Sequence, residues 1–195
     1  ELVTGGAPVT PRLLDGARAL APDARIVTLY GHAGVLPIAS ATAGEVDERR
    51  AAMRSAGGAY VGTPTTGTDV KVVRHATGRI EVTPGTRLDD WCLVAGAPGE
   101  LLVAGDHVDL PDDPGATDVV VDEDGRRWLR TGDVVRRETD GDRGLWVLGR
   151  QGGGWKMGGQ RRWPLEVEMP IMDLPEVARA AICMPRFADA VCITG

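Results

Sequence analysis

The sequence predicts a mixture of α/β and β structure, and three observations predict it. A strand–helix–strand unit opens the chain, short β-branched runs follow at close spacing from Val61, and three glycines at 152–154 precede a helix and two more strands. The first pattern suits the edge of an α/β layer. The second suits a small barrel or bent sheet. The division expected is a large unit over 1–149, with its α/β edge at 1–60 and a small distorted β-barrel subdomain at 61–149. A hinge and the start of a small α/β lobe then occupy 150–195.

Taken in order, Leu2-Val3-Thr4 predicts the end of a buried strand that turns at Gly5-Gly6. Thr10 is a good N-cap with Pro11 at the first helical position, and Leu13, Leu14, Ala17 and Leu20 form an apolar stripe ending near Pro22. Residues 25–30 form a second strand, closed by Gly31. Further strands are expected at 70–74, 79–83, 100–104, 118–121, 128–130, 134–137 and 145–148, with hairpin signals at Glu123-Asp124-Gly125 and Asp140-Gly141. The stretch 83–99 reads as an insertion loop. Pro164 opens a helix through Met172, and 178–184 and 190–194 read as strands.

Composition narrows the function classes. With 43% hydrophobic and 26% charged residues, the 195-residue chain is an ordinary globular sequence. A net charge of -6 and a pI near 5.1 argue against a nucleic-acid partner, which would need a basic face. The 3 cysteines are odd in number and lack CxxC spacing, which disfavours zinc and a disulfide framework and points to reduced thiols in the cytoplasm. No signal sequence or membrane-length apolar run occurs. Glu1 is followed at once by a strand, so the chain is expected to begin inside a larger protein.

The chemistry-bearing residues cluster late. Trp128-Leu129-Arg130-Thr131-Gly132-Asp133 is followed by Gly149-Arg150 and then by Lys156, Gly159, Arg161, Pro164, Glu166 and Glu168. A carboxylate at a tight glycine turn and a guanidinium on the next strand pair can grip a ribose diol, one accepting and one donating hydrogen bonds. The bland reading makes Asp133 a turn cap. Upstream, Gly5-Gly6-Ala7-Pro8 lies between strand and helix, and Tyr30-Gly31-His32-Ala33-Gly34 ends the second strand. Glu166 and Glu168 stand two apart at a helix start, pointing in different directions, and suit helix-dipole support rather than an acid/base pair.

The order and spacing of these segments resemble the adenylate-forming superfamily, which contains acyl-CoA synthetases, adenylation domains of peptide synthetases and luciferases. Within it, Leu36-Pro37-Ile38-Ala39-Ser40 and the glycine-rich connector are similar to olefin β-lactone synthetases and fatty-acyl-AMP ligases. The resemblance implies a parent ligase that activates a carboxylic acid, acyl or β-hydroxyacyl, with ATP as an acyl-adenylate. The acyl group would then pass to CoA or a carrier protein, or close a lactone. It further implies that Gly5, Gly6, Ala7, Tyr30 and Gly31 line adenine, that Asp133 and Arg150 hold ribose, and that Gly152 pivots the small lobe. No catalytic residue or metal ligand is assigned within the chain. The family's phosphate loop would precede Glu1 and its catalytic lysine would follow Gly195, so the chain alone is expected to be inactive.

One departure stands out. The family motif at residues 30–34 carries Thr and Glu where this chain has Ala33 and Gly34. A methyl cannot hydrogen-bond a phosphate, and glycine offers no carboxylate to Mg2+, which puts magnesium in question. His32 could supply a replacement donor, against the commoner reading of an incidental loop histidine. Two rival readings remain open: a degenerate, non-catalytic AMP-binding-like module used for binding or protein interaction, and a self-contained β-rich structural domain.

Overall fold

The computed structural model describes residues 1–113, 116–139, 141, 143–183 and 190–194, and of residues 56, 183 and 190–194 the backbone alone. β1 (Leu2–Gly5), α1 (Pro11–Leu20) and β2 (Ile26–His32) form the expected opening unit. There follow β3 (Val35–Thr42), α2 (Ala43–Glu48), α3 (Arg50–Ala56), β4 (Ala59–Pro64), β5 (Asp69–Val73), β6 (Gly99–Ala104) and β7 (Val119–Val121). The chain continues through β8 (Arg127–Arg137), β9 (Leu145–Arg150), β10 (Trp155–Met157), β11 (Gln160–Arg162), α4 (Pro164–Met172), β12 (Arg179–Cys183) and β13 (Ala190–Thr194). Asp140 and Met184, named in two of the expected elements, lie outside the described residues.

Thr10 caps α1 by accepting from Leu13 N at 3.1 Å, and Leu14 is fully buried beneath it. Leu13 and Leu20, expected on the buried stripe, are exposed instead. β1 and β2 pair in parallel through the α1 crossover, and every other described strand pair is antiparallel. The nine-stranded sheet runs β1-β2-β3-β4-β9-β8-β6-β5, with β7 paired to β8.

The mixture of α/β and β structure is therefore the fold, but the β-rich part is not a closed barrel. β4 pairs with β3 on one side and β9 on the other, so the edge that would close a barrel continues the α/β sheet instead. Gly62 permits this, because a Cβ there would fall 1.8 Å from Ser40 O. β5 ends the order beside β6, and its Val73 also makes an isolated bridge to Cys92. The expected strand at 79–83 is also absent: its Ile80 is buried, and the segment just before it is held by the Arg130 guanidinium, which donates to the carbonyls of Ala76 and Gly78. The expected insertion loop contains a 3-10 turn, Leu88–Trp91, with Leu88 only 1% exposed.

Two short helices, α2 and α3, were not expected. Thr42 and Glu45 form a reciprocal capping box at the start of α2, a Thr-x-x-Glu signature legible in the sequence. β6 is buried on both faces: Leu101 and Val103 belong to the main core with Trp146 and Ile38, while Leu102 and Ala104 pack with Trp128 and Val120. Alternation along one strand thus joins two cores.

The segment after the glycines docks on the sheet. Gly58 N donates to Leu165 O at 2.9 Å, and a Cβ on Gly57 would lie 2.2 Å from Glu166 Cα, so α4 rests on bare backbone. Buried Asp173 binds Arg50 Nη2 at 3.0 Å and also pairs with Arg54. Arg12 donates to Leu174 O at 2.8 Å and to Val177 O at 2.6 Å. Glu166 takes Trp163 N at 2.7 Å, a first-turn role as expected. Glu168 instead accepts from Ile182 N at 2.8 Å, tying β12 to α4. Cys92 is a free, half-buried thiol whose pKa is raised by burial, while the side chains of Cys183 and Cys192 lie outside the described residues. Among the described residues no helix is long and apolar enough to cross a membrane.

Candidate functional site

Thr131-Gly132-Asp133 does not sit at a turn between two strands. β8 runs through it without a break, and the three residues form a bulge: Arg130 pairs with Leu102 and Val134 with Glu100, so all three face Leu101 alone. Gly132 has φ +71, a left-handed conformation that favours glycine, and bulges commonly re-aim a side chain. Hydrogen bonds staple the bulge on both sides. Thr131 Oγ1 donates to Leu101 O at 3.0 Å and accepts from Asp133 N at 3.1 Å. At the end of β9, Arg150 Nη1 donates to Thr131 O at 3.1 Å, and just beyond it Gln151 N donates to Gly132 O at 2.8 Å.

Asp133 and Arg150 are register partners on β8 and β9, and Arg150 Nε lies 2.9 Å from Asp133 Oδ1. The Asp133 side chain is 8% exposed, whereas that of Arg150 is 65% exposed. The other carboxylate oxygen is engaged from β2: Tyr30 Oη donates to Asp133 Oδ2 at 2.5 Å. Burial, and then the Asp133 charge, hold the Tyr30 phenol well above the ordinary tyrosine value, against a smaller opposing effect of Arg150. The phenol is therefore a permanent donor at neutral pH. The carboxylate and guanidinium expected on opposite sides of a ligand are thus already paired, with the guanidinium outermost.

A cleft of about 420 Å³ lies beside this pair. Of the residues expected at the site, Gly6, Ala7, Tyr30, Gly31, Asp133 and Arg150 line it. Gly5 does not; it lies within β1, paired to Leu29 of β2. Val9, Leu29, Val61 and Val147 give the cleft an apolar wall, the usual complement to a few placed polar groups. Pro164, Leu165 and Glu168 of α4 form a further wall that sequence reading missed. No local motif signals it, because it depends on how α4 docks.

Gly152, the expected pivot, has φ +81 in the turn that follows β9, and open space surrounds it. Gly34 lies elsewhere, in the turn between β2 and β3. Asp109 N donates to Gly34 O at 2.7 Å, and a Cβ on Gly34 would stand 3.0 Å from Asp109 O and 3.2 Å from Leu129 Cδ2. His32 Nδ1 accepts from Gly34 N at 3.2 Å, so that ring nitrogen serves the turn, and His32 does not line the cleft.

No protein-family model matches the chain. Known proteins do. The probable non-canonical nonribosomal peptide synthetase of Salinispora arenicola is 33% identical over 199 residues, a match that covers 95% of this chain and 2% of that protein. The olefin β-lactone synthetase of Stenotrophomonas maltophilia is 30% identical over 164 residues, covering 77% of this chain and 28% of its own length. Among solved structures, a variant of the amide bond synthetase of Marinactinospora thermotolerans matches with a TM-score of 0.69 and 28% identity, over 98% of this chain and 35% of that one. The chain spans well under a third of either relative's length. The motifs at Gly6, Tyr30, Asp133 and Arg150 meet at one cleft, and the same superfamily is reached through sequence and through fold. The chain belongs to the adenylate-forming superfamily.

Proposed function

We propose that the cleft holds the adenosine part of an adenine nucleotide, as one portion of a ligase that activates a carboxylic acid as an acyl-adenylate. The observation that carries this reading is the Asp133–Arg150 pair aimed at an apolar cleft between β2, β8 and β9. Asp133 accepts from the ribose hydroxyls, and the outward N–H groups of Arg150 donate to them. The Tyr30 ring and the backbone around Gly6-Ala7 form the adenine faces, where small residues let the base approach closely. The relatives support acid activation as the chemistry of the parent protein; an acyl or β-hydroxyacyl substrate and a CoA or carrier acceptor belong to the same proposal.

At Gly34 the chain offers no carboxylate, and Asp109 and Leu129 crowd the space a side chain would need. The carboxylate that the family motif offers to magnesium is missing at this position, and nothing in the reading passes through magnesium. The same observation favours a second reading, a degenerate module that binds nucleotide without turning it over. Gly152 is proposed as the pivot, and residues 150–195 as the start of the small lobe.

Calorimetry with AMP tests the site. The native chain binds AMP with or without chelator, and Asp133→Ala weakens binding by about two orders of magnitude or more, the loss of about two charge-assisted hydrogen bonds. Unchanged affinity in Asp133→Ala refutes the ribose assignment. Carboxylate-dependent exchange of pyrophosphate into ATP by the full parent protein rules out the degenerate module.

A further inference from the structure

Tyr30 serves the reading above as an aromatic face, yet its hydroxyl is committed elsewhere. Oη donates to Asp133 Oδ2 at 2.5 Å, and Arg150 Nε lies 2.9 Å from Oδ1. A carboxylate offers about four acceptor positions, two on each oxygen. Donors from β2 and β9 therefore take one position on each oxygen and fix the rotation of the carboxyl plane. Asp133 lines the cleft, where the remaining positions can be reached. The neighbouring hydroxyl of Thr131 cannot substitute as the donor, since it is spent on Leu101 O.

We propose that Tyr30 is a positioning residue whose hydroxyl, not its ring alone, orients Asp133 toward a vicinal diol, making the cleft selective for a ribonucleoside over its dideoxy form. This rests on the adenosine reading of the cleft. Without the phenol, Oδ2 loses its fixed donor, and among the described residues the Asp133 carboxylate keeps Arg150, itself on a largely exposed side chain. Acceptor direction then becomes one of several, and the diol must order it on binding. The raised phenol pKa agrees with this role, because the donor proton stays in place through the physiological range.

The test measures the affinities of adenosine and 2′,3′-dideoxyadenosine for the chain by calorimetry. The native chain prefers adenosine, and the ratio of the two affinities reads the diol contacts alone. Tyr30→Phe keeps the ring and costs adenosine more affinity than the dideoxy form, shrinking the ratio about tenfold, the value of one charge-assisted hydrogen bond. Para-aminophenylalanine at position 30 restores a donor and recovers part of the ratio. A Tyr30→Phe ratio equal to the native one, or an equal loss for both ligands, overturns the proposal, because Tyr30 is then only a face. If Asp133→Ala leaves the native ratio intact, the ribose reading fails and the positioning role falls with it, whatever Tyr30→Phe does. Circular dichroism checks folding of each variant. Should Tyr30→Phe not fold, para-fluorophenylalanine at position 30, which fills the place of the hydroxyl but has no proton to donate, decides instead: a ratio below the native one supports the role, and an unchanged ratio overturns it.

Discussion

β8 carries two carboxylate–arginine pairs, and they sit in opposite circumstances. Arg130 and Glu100 form a two-pronged pair at 2.9 and 2.8 Å, with side chains only 8% and 2% exposed. The remaining guanidinium donors of Arg130 go to the carbonyls of Ala76, Gly78 and Thr117. Three residues further on, Asp133 is just as deeply placed, but its partner Arg150 is 65% exposed and makes one contact to the carboxylate. The first pair is saturated from within and pins the 76–78 segment to the sheet. The second leaves donors and acceptors unspent at the edge of a cleft. Residue types alone do not separate structure from site; saturation does.

The largest way to break the comparison is Glu100→Ala. It strands the Arg130 guanidinium in a dry interior, so urea denaturation should show a loss of about 3–5 kcal/mol, the usual cost of breaking a buried pair. Any adenosine affinity should persist in the molecules that remain folded. Asp133→Ala should do the reverse. Arg150 is free to turn to water and only the Tyr30 hydroxyl loses its acceptor, so about 1–2 kcal/mol of stability should go while ligand affinity collapses. Equal destabilisation by the two substitutions would erase the distinction drawn here.

Alkali gives a third and smaller effect. The Tyr30 phenol titrates above its ordinary value of 10.0 in the folded chain, so its contribution is intact below that pH. As pH rises further the unfolded chain loses the proton first, and stability should fall by up to about 1.4 kcal/mol per unit until the folded phenol also titrates. Tyr30→Phe should flatten that limb in melts followed between pH 9 and 11. Smallest of all, Asp69→Asn removes the exposed ion pair with Arg126 (side chains 55% and 45% exposed), and the melt should move by no more than about 1 kcal/mol.

Much of this arrangement was legible in the chain. The Thr10-Pro11 start of α1 and the strands β5, β6, β7 and β9 follow from local chemistry and from spacing, while Gly6, Ala7, Tyr30 and Gly31 are named through the family resemblance and line the cleft. Legibility failed where distant partners decide. Residues 79–83 have strand-like composition but pair with no strand, and the chain leading into them is held at Ala76 and Gly78 by a guanidinium on β8. The bulge at Thr131-Gly132-Asp133 looks like a turn because its glycine is read locally, whereas its geometry comes from β6 on one flank and β9 on the other. Barrel closure failed for a like reason, since the pairing of β4 with β3 depends on a bare backbone at Gly62. The α4 wall of the cleft could not be inferred from any single segment.

Gly57 gives that wall an unexpected sensitivity. The α4 backbone touches it so closely that even one methyl group would act as a wedge, pushing Leu165 and Glu168 outward although position 57 does not line the cleft. The width of the cleft is thus set by an atom that is missing, at a position outside its lining. Variation there would alter the width of the cleft while every residue that lines it stayed the same.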